Sequence, residues 1–338
     1  MRSVRIIGGL TANALPIEDL IEDGEPAILK GVAKSWPLVR RGLESPRAVI
    51  DYLSDFDADR PVVGYVGAPE IGGRFFYNDD LTGLNFEAKR VPFKDFLMRI
   101  SDHFDDRNSQ SFYIGSTDIN LYLPGLGEEN GLPRTLPPFD RFAPSVGIWI
   151  GNRTVASTHY DFSNNIACNM VGRRRFTLFA PDQIENLYPG PLEPTPGGQV
   201  VSMVDLRNPD FARFPRFRDA LATAQVAELE PGDLLIYPAM WWHNVEALDP
   251  FNAMINYWWN AVPRFVDTPM ITLKHALLSL RQRPEHERAA WRELFDFYVF
   301  GDPQQATAHL PEHALGALAM DDVAARRLRA ELLDRLNR

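Results

Sequence analysis

The stretch STHYDFSNNIACNMVGRRRFTLFAP, Ser157 to Pro181, contains three short strand-like segments in close succession. The segments STHYD, NIACNMVG and RRFTLFAP are separated by polar or glycine turns, with no helical sequence between them. Short apolar runs that are bounded by turn residues are typical of β-strands. The stretch therefore predicts three strands of an antiparallel sheet.

The same pattern extends in both directions, from about residue 111 to residue 262. Further short segments with frequent glycine or proline punctuation are SFYIGST, SVGIWIG, AQVAELEPGD, LLIYPA, HNVEAL and FNAMINYWWN. Many short strands without interleaved helices predict a sandwich or a barrel. We therefore expect a mainly β protein with its core in 111–262.

The two flanking regions have a different pattern. Residues 1–110 alternate, with PAILKGV, RPVVGYVG and GRFFYN predicted as strands and SPRAVIDYLSDF and VPFKDFLMRISDHF as helices, so we expect an α/β flank packed on the core. In 263–338 helical stripes return, at Trp291, Leu294, Phe295 and Tyr298 and at Leu328, Leu332 and Leu336. These stripes either cover the barrel and each other or form a homodimer interface, and we favour the interface.

Composition limits the compartment and the partners. The chain has 338 residues, 45% of them hydrophobic, and a formal net charge of −10, which disfavours nucleic acid as a partner. A single cysteine, Cys168, rules out an intrachain disulfide or a thiolate cluster, and we expect it to be a small buried residue. No apolar run has the length of a signal peptide or of a membrane span, so we expect a soluble, cytoplasmic protein.

A metal site is the leading interpretation of the His-x-Asp pair in this stretch. Side chains at i and i+2 share a face of a strand, so His159 and Asp161 can point at one atom. Of the seven histidines, only His243 also lies in the β-rich segment, after a Pro-Gly-Asp turn and an apolar strand. Two histidines and one carboxylate are typical of non-haem Fe(II) oxygenases, although zinc and a merely polar strand end remain alternatives.

These motifs together resemble a known family. The segments HYDFSNNIACNMVGRRRFTLFAPDQIENLYP, PGDLLIYPAMWWHNVEAL and NAMINYWWN, with PAILKGVAKSWP upstream, are similar to JmjC-type cupin hydroxylases, which include the asparaginyl hydroxylase that inhibits hypoxia-inducible factor. The resemblance implies a double-stranded β-helix (jelly-roll or cupin) core. It also implies Fe(II) held by His159, Asp161 and His243, and 2-oxoglutarate as co-substrate.

Further site residues carry over from the resemblance. In this family a lysine in a G-x-K-R stretch usually meets the distal carboxylate of 2-oxoglutarate, and the matching position here is Arg174 in Gly172-Arg173-Arg174-Arg175. Alternation places Arg174 on the face opposite Arg173 and Arg175, and we expect it to point inward. The co-substrate and substrate residues that the resemblance implies are Tyr113, Asn165 and Asn256 for the co-substrate and metal, and Trp258 for the substrate entrance. By the same resemblance, Ala156 stands where the asparaginyl hydroxylase has a hydroxyl side chain that helps to hold the co-substrate.

The expected activity is hydroxylation of a C–H bond with O2 by an Fe(II)- and 2-oxoglutarate-dependent dioxygenase. The substrate implied by the resemblance is a protein or peptide side chain, although related cupins also act on tRNA bases and small molecules, and analogy of fold alone does not choose among them. Two alternatives stay open, because Arg174 and Ala156 depart from the family pattern. One is a metal-dependent cupin enzyme that does not use 2-oxoglutarate, and the other is a non-catalytic cupin-like protein that binds a ligand.

Overall fold

The computed structural model describes residues 1–104, 106 and 108–337. The chain divides into two compact units, Met1–Asn260 and Ala261–Arg338. The first unit is mainly β and contains the candidate site, and the second is helical.

Within its described residues the first unit has fifteen strands: β1 (Arg2–Ser3), β2 (Arg5–Ile7), β3 (Ala27–Leu29), β4 (Val62–Gly67), β5 (Arg74–Phe75), β6 (Phe86–Val91), β7 (Ser111–Asp118), β8 (Ser145–Gly151), β9 (Val155–Tyr160), β10 (Asn164–Val171), β11 (Arg174–Phe179), β12 (Gln225–Leu229), β13 (Leu234–Tyr237), β14 (Trp242–Ala247) and β15 (Asn252–Trp259). The nine-stranded sheet has the order β2-β3-β13-β10-β15-β8-β7-β4-β6, and the six-stranded sheet has the order β1-β12-β11-β14-β9-β5. Strands β7 to β15 are the nine that the sequence predicts in 111–262, and they pair with each other in antiparallel fashion.

The strands of the first 110 residues extend both sheets. β1 pairs in parallel with β12, β3 pairs with β13, and β4 pairs with β7 and β6. The sequence does not predict β6, because four consecutive exposed residues, Glu87–Arg90, hide any apolar alternation. The residues before the predicted core therefore build sheet edges as well as helices.

Seven α-helices belong to the described part of this unit: α1 (Ile17–Glu22), α2 (Pro37–Glu44), α3 (Pro46–Ser54), α4 (Phe93–Asp102), α5 (Ile119–Tyr122), α6 (Leu126–Glu129) and α7 (Phe217–Thr223). α3 begins with Ser45, whose hydroxyl accepts the Ala48 N–H, and with Pro46 at the first helical position. α3 and α4 were both predicted. The expectation that 111–262 lacks helices is wrong, because α5, α6 and α7 are too short to give a periodic apolar pattern.

The two faces of the nine-stranded sheet bury different side chains. Ile166 and Cys168 of β10 belong to the apolar cluster that includes Leu53 of α3 and Phe96 of α4. The intervening residue Ala167 belongs to a second cluster, which includes residues of both sheets. Alternation along β10 thus separates a helix-covered face from an inner face, and the candidate site lies on the inner face. Cys168 is fully buried, as expected.

The second unit contains the predicted C-terminal helices. Its elements are α8 (Pro269–Leu280), α9 (Glu285–Phe295), a π-helical turn (Asp296–Phe300), α10 (Pro303–Thr307), two 3-10 turns (Glu312–Ala314 and Gly316–Leu318) and α11 (Asp322–Leu336). Among the described helices of the whole chain, we find none with the length and apolar character needed to cross a bilayer.

Candidate metal site

Two histidines face each other across neighbouring strands. His159 of β9 is paired with His243 of β14, and their ring centroids are 4.3 Å apart. Asp161 follows directly after β9, and its Oδ2 lies 3.8 Å from Nε2 of His243. Potential donor atoms of the three residues all lie within 4.8 Å of one another. The three residues that the sequence singles out are therefore brought to one point.

Both imidazoles are held in the same orientation by the backbone. Nδ1 of His159 lies 2.8 Å from the carbonyl oxygen of Ser157, and Nδ1 of His243 lies 2.9 Å from that of Trp241. A carbonyl can only accept, so each Nδ1 carries a proton, and in the neutral form of either ring the lone pair is then on Nε2. This tautomer is the one that binds a metal through Nε2.

The protonation of the cluster also suits a cation. Burial, with a smaller contribution from His159, lowers the pKa of His243 to about 4, so His243 is neutral at pH 7. Burial alone would raise the pKa of Asp161, but the two histidines and two N–H donors outweigh it, and the net direction is downward. A neutral imidazole and an ionised carboxylate are the forms that ligate metals.

Asp161 is positioned by three side chains. Its Oδ2 accepts hydrogen bonds from Nε1 of Trp258 at 3.1 Å and from Nδ2 of Asn165 at 3.2 Å. Asn165 Oδ1 in turn accepts from Nδ2 of Asn256 at 2.7 Å. Because the Asp161 carboxylate can only accept, Asn165 must turn its NH2 group toward Asp161 and its oxygen toward Asn256. The orientation of both side-chain amides is therefore fixed. The remaining Oδ1 of Asn256 is buried and has no protein partner among the described residues.

The site opens into a cavity of about 450 Å³. Its lining includes His159, Asp161, Asn165, His243, Asn256 and Trp258 near the candidate metal site. Aromatic rings form much of the wall: Tyr65, Phe75, Phe86, Tyr113, Trp149 and Tyr237. Among the described residues the lining contains no lysine, arginine or glutamate. Asp161 is thus the only carboxylate in the described lining.

Arg174 is buried next to this cavity without a carboxylate partner. Only 3% of the residue is exposed, Nη1 lies 3.5 Å from the sulfur of Met254, and Nε has no partner among the described residues. Burial lowers the pKa of Arg174 to about 10, so the guanidinium remains charged at neutral pH. Met254 lines the cavity and Arg174 does not, so the thioether stands between the guanidinium and the open space.

The neighbouring arginines behave differently. Arg173 pairs with Asp249 at 3.0 Å, and Arg175 pairs with Glu228 at 2.8 Å, all on the outer face. The expected alternation therefore holds, and Arg174 points inward. Pairing a partly exposed arginine at the surface costs little free energy, whereas burying an arginine without a counter-ion costs much more. An anionic ligand near Arg174 would remove this cost.

Two further expected positions border the cavity. Tyr113 packs against Trp149, with ring centroids 5.6 Å apart, and burial raises the pKa of its phenol. Ala156 also lines the cavity. An irregularity in the pairing of β9 with β14 lies just after it, and the hydroxyl of the next residue, Ser157, is buried without a partner in the described part of the chain.

The comparison with known families agrees with this geometry. A model described as the cupin-like domain matches residues 12–265. The chain belongs to the cupin-like domain family. The match covers the strands that carry every candidate residue, and it confirms the resemblance to JmjC-type cupin proteins.

The relatives of this cupin-like chain carry names that state different activities. The tRNA wybutosine-synthesizing protein 5 of Danio rerio is 27% identical over 267 residues, covering 73% of this chain and 72% of the relative. Lysine-specific demethylase 8 of the same organism is 26% identical, covering 72% and 55%, and Jumonji C domain-containing protein 5 of Drosophila melanogaster is 26% identical, covering 70% and 55%. The chain thus matches about half the length of the last two.

Several residues of the cupin-like site escape sequence reasoning. Tyr237 packs on His243 with ring centroids 5.0 Å apart, and Met254 contacts Arg174. Both follow from the alternation of predicted strands, so their inward direction could have been found. The outer wall, with Tyr65 and Phe86, depends on the pairing of β4 with β6, for which the sequence has no local signal.

Proposed function

We propose that this chain is an Fe(II)- and 2-oxoglutarate-dependent oxygenase that hydroxylates a C–H bond. The observation that carries the proposal is the convergence of His159, Asp161 and His243 at the end of a cavity that adjoins a buried, unpaired arginine. Two histidines and one carboxylate leave three positions open on an octahedral ion. When bound there, Fe(II) with 2-oxoglutarate and O2 would supply the oxidant for an unactivated C–H bond.

The proposed core is a double-stranded β-helix formed by β8 to β15. Strands β8, β10, β13 and β15 lie in the nine-stranded sheet, and β9, β11, β12 and β14 lie in the six-stranded sheet. The chain therefore crosses between the sheets at most steps. This places β9 beside β14, and so His159 beside His243.

Arg174 and Tyr113 are the proposed partners of the distal carboxylate of 2-oxoglutarate. Arg174 is paired with Ala247, four residues beyond His243 on β14, which corresponds to a separation of about 13 Å along the strand. An extended dicarboxylate and the arginine side chain together can span that distance. Met254 would have to turn away from the guanidinium, which its flexible side chain allows.

Asn165, Asn256 and Trp258 are proposed to position Asp161. Their hydrogen bonds restrain the carboxylate before a metal arrives, and such outer partners commonly tune metal affinity. Trp258 also lines the cavity, so it can contact substrate while it holds Asp161. The free Oδ1 of Asn256 can accept a hydrogen bond from a ligand or a water molecule.

The proposed substrate is a protein or peptide side chain. The named relatives include a tRNA wybutosine-synthesizing protein and a lysine-specific demethylase, so the family alone does not choose the substrate. A net charge of −10 and a cavity lining without lysine or arginine in the described residues disfavour a phosphate-bearing substrate. The single cysteine fits a reducing compartment such as the cytoplasm.

The C-terminal helices are proposed to form a homodimer. In the described structure Trp291, Leu294 and Tyr298 are 40%, 45% and 52% exposed, on the stripe that the sequence predicts. Large apolar side chains grouped in this way are typical of association surfaces.

An anaerobic titration tests the activity. Fe(II)-loaded protein titrated with 2-oxoglutarate should develop the weak visible metal-to-ligand charge-transfer band, and the His159→Ala variant should not. Arg174→Met should lose 2-oxoglutarate affinity while retaining Fe(II), and the matched variant Arg175→Met, on the outer face, should behave as wild type. If Fe(II) binds but no band develops, a cupin enzyme independent of 2-oxoglutarate replaces this proposal, and Ala156 already favours it. If neither ligand binds, a non-catalytic binding protein is the better interpretation.

A further inference from the structure

Strand β6 forms one edge of the nine-stranded sheet. It pairs along one side with β4, and the sheet ends there. Along its other side, we find no hydrogen-bond partner for its backbone within the described ranges. Glu87 to Arg90 are all exposed, so this edge is accessible to another chain. An exposed edge of this length is a template for pairing with an extended segment.

The edge is continuous with the mouth of the cavity. Phe86 and Ala88, two residues apart on one face of β6, both line the cavity. The facing residues of β4 continue this surface outward. Tyr65 lies opposite Ala88 and lines the cavity, and Val63 lies opposite Arg90 and is 38% exposed. A strand added to β6 would thus run from the protein surface to the cavity mouth.

The charges on β6 differ between its two faces. Glu87 and Lys89 form an ion pair with each other on the face away from the cavity. Arg90 shares the face of Phe86 and Ala88, is exposed, and has no ion-pair partner recorded in the described part of the chain. The cavity-side face therefore presents one uncompensated positive charge beside an apolar opening. It suits an acidic residue in a bound segment.

We propose that β6 is a docking strand for a polypeptide substrate. An extended segment flanking the target residue pairs with the free edge of β6, places an acidic side chain near Arg90, and leads the neutral target side chain into the cavity. This inference deepens the proposed function. It rests on the proposed function only because it takes the cavity to be the site of reaction. Backbone pairing supplies affinity with little sequence preference, and the cavity selects the side chain.

Peptide binding without iron tests the docking strand. Random peptides of about twelve residues displayed on phage are selected on the full chain, and fluorescein-labelled copies are measured by anisotropy. Single backbone N-methyl groups are then placed along each selected peptide. We expect affinity to fall about tenfold at alternate positions and to hold at the positions between, because every second N–H of a paired strand faces its neighbour.

Two further readouts locate the site on the protein. Hydrogen exchange should slow at alternate amides of β6 when peptide is bound. Arg90→Glu should weaken the binding of acidic peptides by about threefold or more, and the matched charge reversal Lys94→Glu, on α4, should not.

Three results would overturn the proposal. In the first, the selected peptides tolerate N-methylation at every position or leave the amides of β6 unprotected from exchange. In the second, the affinity for acidic peptides is unchanged in Arg90→Glu. In the third, no peptide binder is selected, whether an RNA stem-loop binds instead or nothing binds. None of these measurements uses Fe(II) or 2-oxoglutarate, so they fail or succeed independently of the charge-transfer titration.

Discussion

Replacing Arg174 by methionine should stabilise the empty protein while it abolishes the binding of 2-oxoglutarate. Arg174 is fully enclosed, and its pKa is lowered to about 10 by burial. Keeping the guanidinium charged in the folded state therefore costs about 3 kcal/mol relative to an arginine in water. Methionine removes that cost but leaves a smaller side chain in the core, which costs about 1 kcal/mol. We therefore expect a net gain of about 2 kcal/mol in the free energy of unfolding.

Urea unfolding of wild type, Arg174→Met and Arg175→Met measures this gain. Arg175 is half-exposed and ion-paired, so its replacement should change the free energy of unfolding by less than about 0.5 kcal/mol. Adding 2-oxoglutarate at about 100 times its dissociation constant to the Fe(II)-loaded protein should stabilise wild type by about a further 2.7 kcal/mol and leave Fe(II)-loaded Arg174→Met unchanged.

The pH dependence of the Arg174 effect has a definite sign. A basic group whose pKa is lowered on folding destabilises the protein wherever it is charged, and the penalty fades as pH rises through about 10. The advantage of Arg174→Met should therefore shrink above that pH. If Arg174→Met is instead less stable than wild type at pH 7 without ligand, the guanidinium supports the fold and the argument for an anion site fails.

Two other predictions concern the fold and the association of the chain. Asp233 is fully buried and accepts hydrogen bonds from Nζ of Lys30 at 2.7 Å and from the Gly31 N–H at 2.9 Å. Asp233→Ala should therefore lower the free energy of unfolding, measured in urea, by about 3 kcal/mol or more. A loss of less than about 1 kcal/mol would contradict this account of the ion pair. Analytical ultracentrifugation should give twice the chain mass of 38.3 kDa, and Leu294→Glu should give monomers; a wild-type monomer at micromolar concentration would rule out the interface.

The metal site was predictable because its geometry is local and its histidines are few. His159 and Asp161 converge through the two-residue period of a strand, and the census left His243 as the third candidate. The same period correctly turned Arg174 inward between two outward arginines. Such predictions require only that a segment is recognised as a strand. They do not require knowing which strands lie beside it in the sheet.

What surrounds the site depends on pairing between distant strands. The chain of amides from Asn256 through Asn165 to Asp161 exists because β10 and β15 are neighbours in a particular register. The contact of Met254 with Arg174 joins the two sheets, and no sequence period predicts which side chains meet across a barrel. The resemblance implied a place for Asn165 and Asn256 beside the co-substrate and metal, but it did not give the hydrogen bonds that connect them to the Asp161 carboxylate.

The charges of the cavity imply an order of binding. Asp161 is ionised and lies at one end, Arg174 is charged and lies near the other, and uncharged side chains separate them. Without a metal, a dicarboxylate that reaches Arg174 would bring its second carboxylate toward Asp161, and two like charges in a poorly solvated site repel strongly. A divalent cation held by His159, Asp161 and His243 would reverse the sign of the charge at that end, so both carboxylates of the ligand would then meet positive charge. The metal should consequently bind before the keto acid, so metal-free protein titrated with 2-oxoglutarate should bind it weakly, and a metal-free affinity equal to that of the Fe(II)-loaded protein would contradict this order.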